Sequence, residues 1–152
     1  MDRPTFKFSL ERVRALRERS EDQAREQLAA SLTHRVNGEA VLRAAQATAQ
    51  TARDAQREAA GAPVSGQDLA AMQLYIERAE REQEAASLDL DRREAEVDAR
   101  RRALTHAARE RQVLERLKER RRADHNLRAG RLESAAIDEM ALNIHRRREL
   151  AR

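Results

Sequence analysis

Gly61-Ala62-Pro63-Val64-Ser65-Gly66 is the one strong helix-breaking cluster in a chain of 152 residues. Two glycines and a proline within six residues end a helix and turn the chain. On either side the sequence is dominated by helix formers, so the possible folds are few. We expect one helix over about residues 9–60, a turn at 61–66, a second helix over 66–147 and a tail at 148–152. Ser65 suits an N-cap, with Asp68 three residues on. Ser9 suits another, with Glu11 where a helix dipole favours an acid. At 1.5 Å per residue the helices would run to roughly 75 and 120 Å. Neither could stand alone in water without a partner for its apolar stripe.

The second helix carries a seam. Stepping alternately by three and four from Leu69 visits Met72, Ile76, Ala79, Gln83, Ala86, Leu90, Arg93, Val97, Arg100, Leu104, Ala107, Arg111 and Leu114. Ten of those fourteen positions are apolar, which is the coiled-coil period. In the first helix the same walk from Leu10 passes Val13, Arg17, Ser20, Ala24, Gln27, Ser31, His34, Gly38 and Val41 on its way to Ala59. Eight of its fifteen positions are apolar. Leu16, Leu28, Leu32 and Leu42 fall off the line, and Asn37-Gly38 reads as a soft point. A turn near Pro63 pairs residues whose numbers add up to about 127, such as Leu10 with Leu117 and Val13 with Leu114. The expected fold is all-α: an antiparallel two-helix coiled-coil hairpin with a longer second helix, one elongated domain over residues 1–152. Its seam would include Leu10, Val13, Leu69, Leu90, Val97, Leu104, Leu114 and Leu117. The same seams would let an opened chain pair with a second copy.

Composition narrows function. Aromatics make up 2% of the chain and charged residues 38%, against the needs of a thick core. With so few glycines and β-branched residues, an all-β or α/β enzyme fold is excluded. There is no cysteine, hence no disulfide framework or thiolate metal site. His34, His106, His125 and His145 lack the three- or four-residue spacing of a helical metal pair. No Gly-rich phosphate loop occurs, and two paired helices offer no dry cavity in which to shift a carboxylate pKa. We expect neither enzyme activity nor a cofactor. No apolar run reaches bilayer length, and the N-terminus lacks the apolar stretch of a signal peptide. The expected location is cytoplasmic.

Charge is laid out in blocks. The balance is +2 over residues 1–60, −6 over 61–99 and +8 over 100–152. The basic block includes Arg100 to Arg102, Arg109, Arg111, Arg116, Lys118 and Arg120 to Arg122. Glu110, Glu115 and Glu119 are interleaved so as to pair with arginines on the same helix. Stacking aromatics are missing, as is the asparagine pattern of zipper basic regions. These features argue against nucleic acid and for a solvated helix face or an acidic protein partner.

Three stretches resemble one family. Phe6-Lys7-Phe8-Ser9-Leu10-Glu11-Arg12-Val13-Arg14-Ala15-Leu16-Arg17-Glu18 looks like the opening of the flagellar FliJ family. Arg109-Glu110-Arg111-Gln112-Val113-Leu114-Glu115-Arg116-Leu117-Lys118-Glu119-Arg120 is similar to its second signature. Arg131-Leu132-Glu133 and Ile137-Asp138-Glu139-Met140-Ala141 match its ending. The resemblance implies a stalk of the flagellar type III export apparatus, similar to the rotor stalk of rotary ATPases. Such a stalk would insert into a hexameric export ATPase and promote its assembly. It would also link the ATPase to the cytoplasmic domain of the membrane export gate and help recycle export chaperones. It would meet the membrane only through partners.

The resemblance places ring contact at residues 6–20 and 108–122 and the C-terminal extension, with Arg109, Arg111, Glu115, Arg116, Lys118, Arg120 and Arg121 as contacts. It places gate contact at Met72, Ile76, Ala79 and Gln83, where Met72 and Gln83 depart from the family's aromatic and histidine. That stripe is also the seam, so packing is its other reading. Tyr75, one position away, is the only tyrosine. The equivalent stalk of a virulence-type injectisome and an unrelated scaffold or nucleic-acid-binding coiled coil remain as alternative functions.

Overall fold

The computed structural model of the protein describes residues 5–150. Residues 1–4 and the last two residues of the expected tail, 151–152, lie outside that range. The fold is all-α: α1 spans Glu11–Ala59 and α2, the longer, spans Gly66–Leu150, paired as an antiparallel hairpin. The connection follows the sequence. Ala62 N–H closes the end of α1 on Ala59 O at 3.0 Å. Ser65 Oγ accepts the Asp68 N–H at 3.2 Å and donates to the Asp68 carboxylate at 2.6 Å, so Ser65 caps α2.

Two ends differ from expectation. α1 begins at Glu11, not Ser9: the Glu11 N–H closes a turn on Phe8 O at 3.2 Å, the Arg14 N–H bonds Leu10 O at 2.9 Å, and the Ser9 hydroxyl accepts from Arg121 Nη1 at 2.9 Å. α2 runs on through Arg148, Glu149 and Leu150. Arg147 and Arg148 lie in that last turn, where positive charge favours continuation.

The chain forms two compact units. Unit 1 joins the residues up to Ser20 with those from Ala107 onward; unit 2 is Glu21–His106. In unit 1 the helices run antiparallel, with Glu11 beside Lys118, Arg14 beside Glu115 and Arg17 beside Glu110. In unit 2 Gln27 meets Arg100, His34 meets Arg93 and Arg53 meets Glu80. The numbers of Arg17–Glu110, Gln27–Arg100 and His34–Arg93 add up to about 127, the register set by a turn at Pro63.

On α2, Met72 and every later residue of the expected walk down to Leu114 are buried or half-buried. Val97 is 2% exposed, Ile76 6% and Ala79 3%; Leu90, Leu104, Leu114 and Leu117 are half-buried. Leu69 is exposed. It lies in the first turn of α2, opposite the end of α1, where Ala60, Gly61 and Ala62 follow Ala59.

On α1 the buried line is not the expected one. It steps by four and then three: Leu10, Arg14, Arg17, Glu21, Ala24, Leu28, Ser31, Arg35, Gly38, Leu42, Ala45, Ala49, Ala52, Gln56 and Ala59 are all buried or half-buried. Val13, Gln27, His34, Val41, Thr48 and Ala55 are exposed. One residue is about 100° of helix, so the change in stepping turns Val13 outward and brings in Leu28 and Leu42. Both lines share every second position and contain equally many apolar residues, so a count could not separate them. α1 also runs unbroken through Gly38. A Cβ there would sit 2.8 Å from Arg93 Cδ, so the glycine makes room for Arg93 to cross and donate to His34 O at 2.7 Å.

This register makes a direct prediction. Leu42→Ala should lower stability by about 1–2 kcal/mol, reduced from full-core values because Leu42 is half-buried. Val41→Ala should stay within about 0.5 kcal/mol. Urea denaturation of the two variants checks it; the expected walk would reverse the order.

Candidate functional site

The basic residues that the resemblance assigns to a ring contact lie in unit 1. α2 presents them at helical spacing, and α1 decides which are turned inward. Arg14 sits at the centre of the pairing. Its Nε donates to Glu11 Oε1 at 2.7 Å and its Nη1 to Glu115 Oε1 at 2.8 Å. Lys118 Nζ is 2.9 Å from Glu11 Oε2, and Arg17 Nη1 donates to Glu110 Oε2 at 2.8 Å. Positions that would be apolar in a leucine-rich coiled coil are thus closed by ion pairs, with the arginine stems covering the seam.

The electrostatics follow from the geometry. Hydrogen bonds from Lys118 and then Arg14 hold the Glu11 carboxyl below its ordinary range. Hydrogen bonds to Glu11 and Glu115 raise the Arg14 guanidinium further still. Past this network the N-terminal segment lies on α2. Phe8 is buried with Arg121 Cζ 5.7 Å from its ring centre. Phe6 meets His125 edge-on at 5.6 Å. The Phe6-Lys7-Phe8 opening therefore straps the segment before α1 onto α2.

The seven assigned residues separate into two groups. Glu115 and Lys118 are half-buried in ion pairs, Arg121 lies between Ser9 and Phe8, and Arg111 is half-buried in the seam. Those four serve the hairpin itself. Arg109, Arg116 and Arg120 are exposed. They lie seven and four residues apart, on one face of α2. Val113 and Leu127, both exposed, fall on the same face. Sequence reasoning missed these two, although the spacing 109, 113, 116, 120, 127 contains them.

The residues that the resemblance assigns to gate contact belong to unit 2 and lie on the seam, as their packing reading has them. Ile76 and Ala79 are buried, and Met72 and Gln83 half-buried, along the buried line of α2. They pack against α1, so a partner could touch Ile76 or Ala79 only if the helices parted. Their neighbours Leu74 and Tyr75 are exposed.

Among the described residues no three His, Asp or Glu side chains gather as a metal site. Among them, too, no helix is long and apolar enough to cross a membrane. The grooves beside His125 and beside Arg93 are lined mainly by polar and charged side chains. What the described residues define is a charged two-helix coiled coil that offers surfaces to other molecules.

Within that class the chain can be placed. The family model described as "Flagellar FliJ protein" matches residues 6–150, and the chain belongs to the FliJ family. It is accordingly a component of the flagellar export apparatus. No curated protein and no solved structure matches it.

Glu11 yields a pH prediction. Its folded pKa is lowered, so its contribution is present above the ordinary glutamate value of about 4.3 and fades as pH falls through the lower folded value. Carboxyl NMR titration should place Glu11 below its ordinary range, and Lys118→Met should move it back up. An unmoved titration would mean that the Lys118 contact does not form in solution.

Proposed function

We propose that this protein is the cytoplasmic stalk of the export apparatus. In this reading it seats in the hexameric export ATPase, promotes its assembly and activity, and links it to the cytoplasmic domain of the export gate. It takes part in recycling export chaperones, has no reaction of its own, and meets the membrane only through partners.

The observation that carries this reading is the outward stripe of Arg109, Arg116 and Arg120 around Val113. A stalk inside a ring must be held without sticking. Exposed ion pairs, each worth about 0–1 kcal/mol, exchange readily. A few exposed apolar side chains add grip without forming a dry interface. Acidic loops lining the hole would complete the match. Gate contact then falls on the exposed Leu74 and Tyr75 in place of the buried Ile76 and Ala79; an exposed tyrosine is a suitable anchor.

Stimulation of the cognate export ATPase by the purified chain tests the reading. Activation should weaken as salt rises. The triple change Arg109→Glu, Arg116→Glu, Arg120→Glu should reduce it at least about tenfold with helicity retained, while Arg92→Glu in unit 2 leaves it intact. Full activation by the triple variant, or activation indifferent to salt, would remove the ionic stripe from the mechanism. Tyr75→Ala should weaken binding to the gate domain without changing ATPase activation.

A further inference from the structure

Asn37-Gly38 is the one Asn-Gly pair in the chain; Asn126 and Asn143 are followed by Leu127 and Ile144. An asparagine side-chain amide is lost most readily before glycine, because a glycine carries no side chain to hinder approach to its nitrogen. Here the pair lies inside α1, within unit 2. Gly38 is buried, and Asn37 is exposed in the groove that His34 and Arg93 also line.

The reaction is a cyclisation. The Gly38 nitrogen bonds to Asn37 Cγ, and the bond from Cγ to Nδ2 breaks. Nδ2 leaves as ammonia with the proton that the Gly38 nitrogen gives up. Water then opens the cyclic imide to aspartate or isoaspartate. To attack, the Gly38 nitrogen must turn out of the helical ladder, in which its N–H donates to His34 O. That carbonyl is the one to which Arg93 Nη1 donates at 2.7 Å; its two lone pairs serve both donors. Arg93 is fixed in turn by its Nε, which donates to Asp89 Oδ2 at 2.7 Å. Its stem fills the space beside Gly38, where a Cβ would sit 2.8 Å from Arg93 Cδ. One side chain of α2 thus holds the acceptor of the attacking N–H and crowds the backbone that would have to turn.

We propose that Asn37 is a deamidation site that Arg93 keeps closed while α1 and α2 are paired. The amide is lost when the helices part around Gly38. An isoaspartate product adds a methylene to the main chain and interrupts the ladder of α1. It therefore records an opening of the hairpin that closing does not erase. This inference does not rest on the export reading.

Incubation of the full-length chain at mildly alkaline pH, followed by peptide mass mapping, tests the proposal. Each event adds about one dalton to the peptide that carries Asn37. In guanidinium Asn37 should react faster than Asn126 and Asn143, and Gly38→Ala should slow it there at least about tenfold. In the folded chain Asn37 should react at least about tenfold more slowly than in guanidinium. Arg93→Met keeps the stem and removes the donor; it should raise the folded rate at least about threefold, with helicity unchanged by circular dichroism. Leu42→Ala weakens the pairing but leaves the contact to His34 O in place, so it should raise the rate less. A folded chain that reacts as fast as the unfolded one overturns the proposal, as does an Asn37 that is stable in guanidinium. So does an Arg93→Met rate equal to the parent's. Equal acceleration by Leu42→Ala and Arg93→Met overturns it too, because protection would then come from overall stability and not from this contact.

Discussion

A seam in which alanine, glycine, serine and arginine alternate with a few larger apolar residues lets two helices approach closely but buries little apolar area. Everything else in the structure adjusts to that constraint. Val97 is the largest side chain fully enclosed, and Phe8 is the only buried aromatic among the described residues. Stability must come from many small contacts spread along the helices. The remaining seam positions are closed by arginine stems whose charged heads find partners across the pair. Gly38 shows how tightly the two requirements interlock, since its missing side chain is the space that Arg93 occupies on the way to His34 O.

The same constraint sorts the arginines. An exposed helix of this composition has more positive charge than its own seam can pair, and the helix period decides which residues face inward. Arg14 and Arg17 find glutamates on α2, and Lys118 finds Glu11. Arg109, Arg116 and Arg120 point away. The basic block is thus two surfaces with different work. One holds the hairpin together, and the other remains available to a partner. Membership of the FliJ family gives that outward surface a setting in the flagellar export apparatus.

Much of this was legible in the sequence, for definite reasons. The break at Gly61 to Gly66, the capping role of Ser65 and the antiparallel register follow from local chemistry and chain geometry. The buried line on α2 follows from its leucines, Val97 and Ile76. The line on α1 did not follow, because alanine-rich helices give nearly equal apolar counts on adjacent lines. Only contact with α2 chooses Leu28 and Leu42 over Val13 and Val41. The start of α1 also escaped, since Ser9 lies in a turn closed from Glu11 N–H to Phe8 O and its hydroxyl accepts from Arg121, more than a hundred residues away. The gate stripe was legible both as a contact pattern and as seam, without a means of choosing between the two. Three- and four-residue spacing marks a face without saying whether that face is covered, and here Ile76 and Ala79 are covered.

The central claim is that α1 and α2 fold back on each other within one chain, in the register set at Pro63. The absence of cysteine allows two spin labels to be placed without interference, at the exposed positions Gln46 and Arg81 of unit 2. Pulsed EPR on labelled chain diluted in unlabelled chain reports the distance within one molecule. Paired helices about 8–10 Å apart, with the reach of the labels added, predict a single narrow distribution within roughly 30 Å. A chain extended through the turn would separate the same positions by on the order of 50 Å, and a distribution centred there would contradict the account.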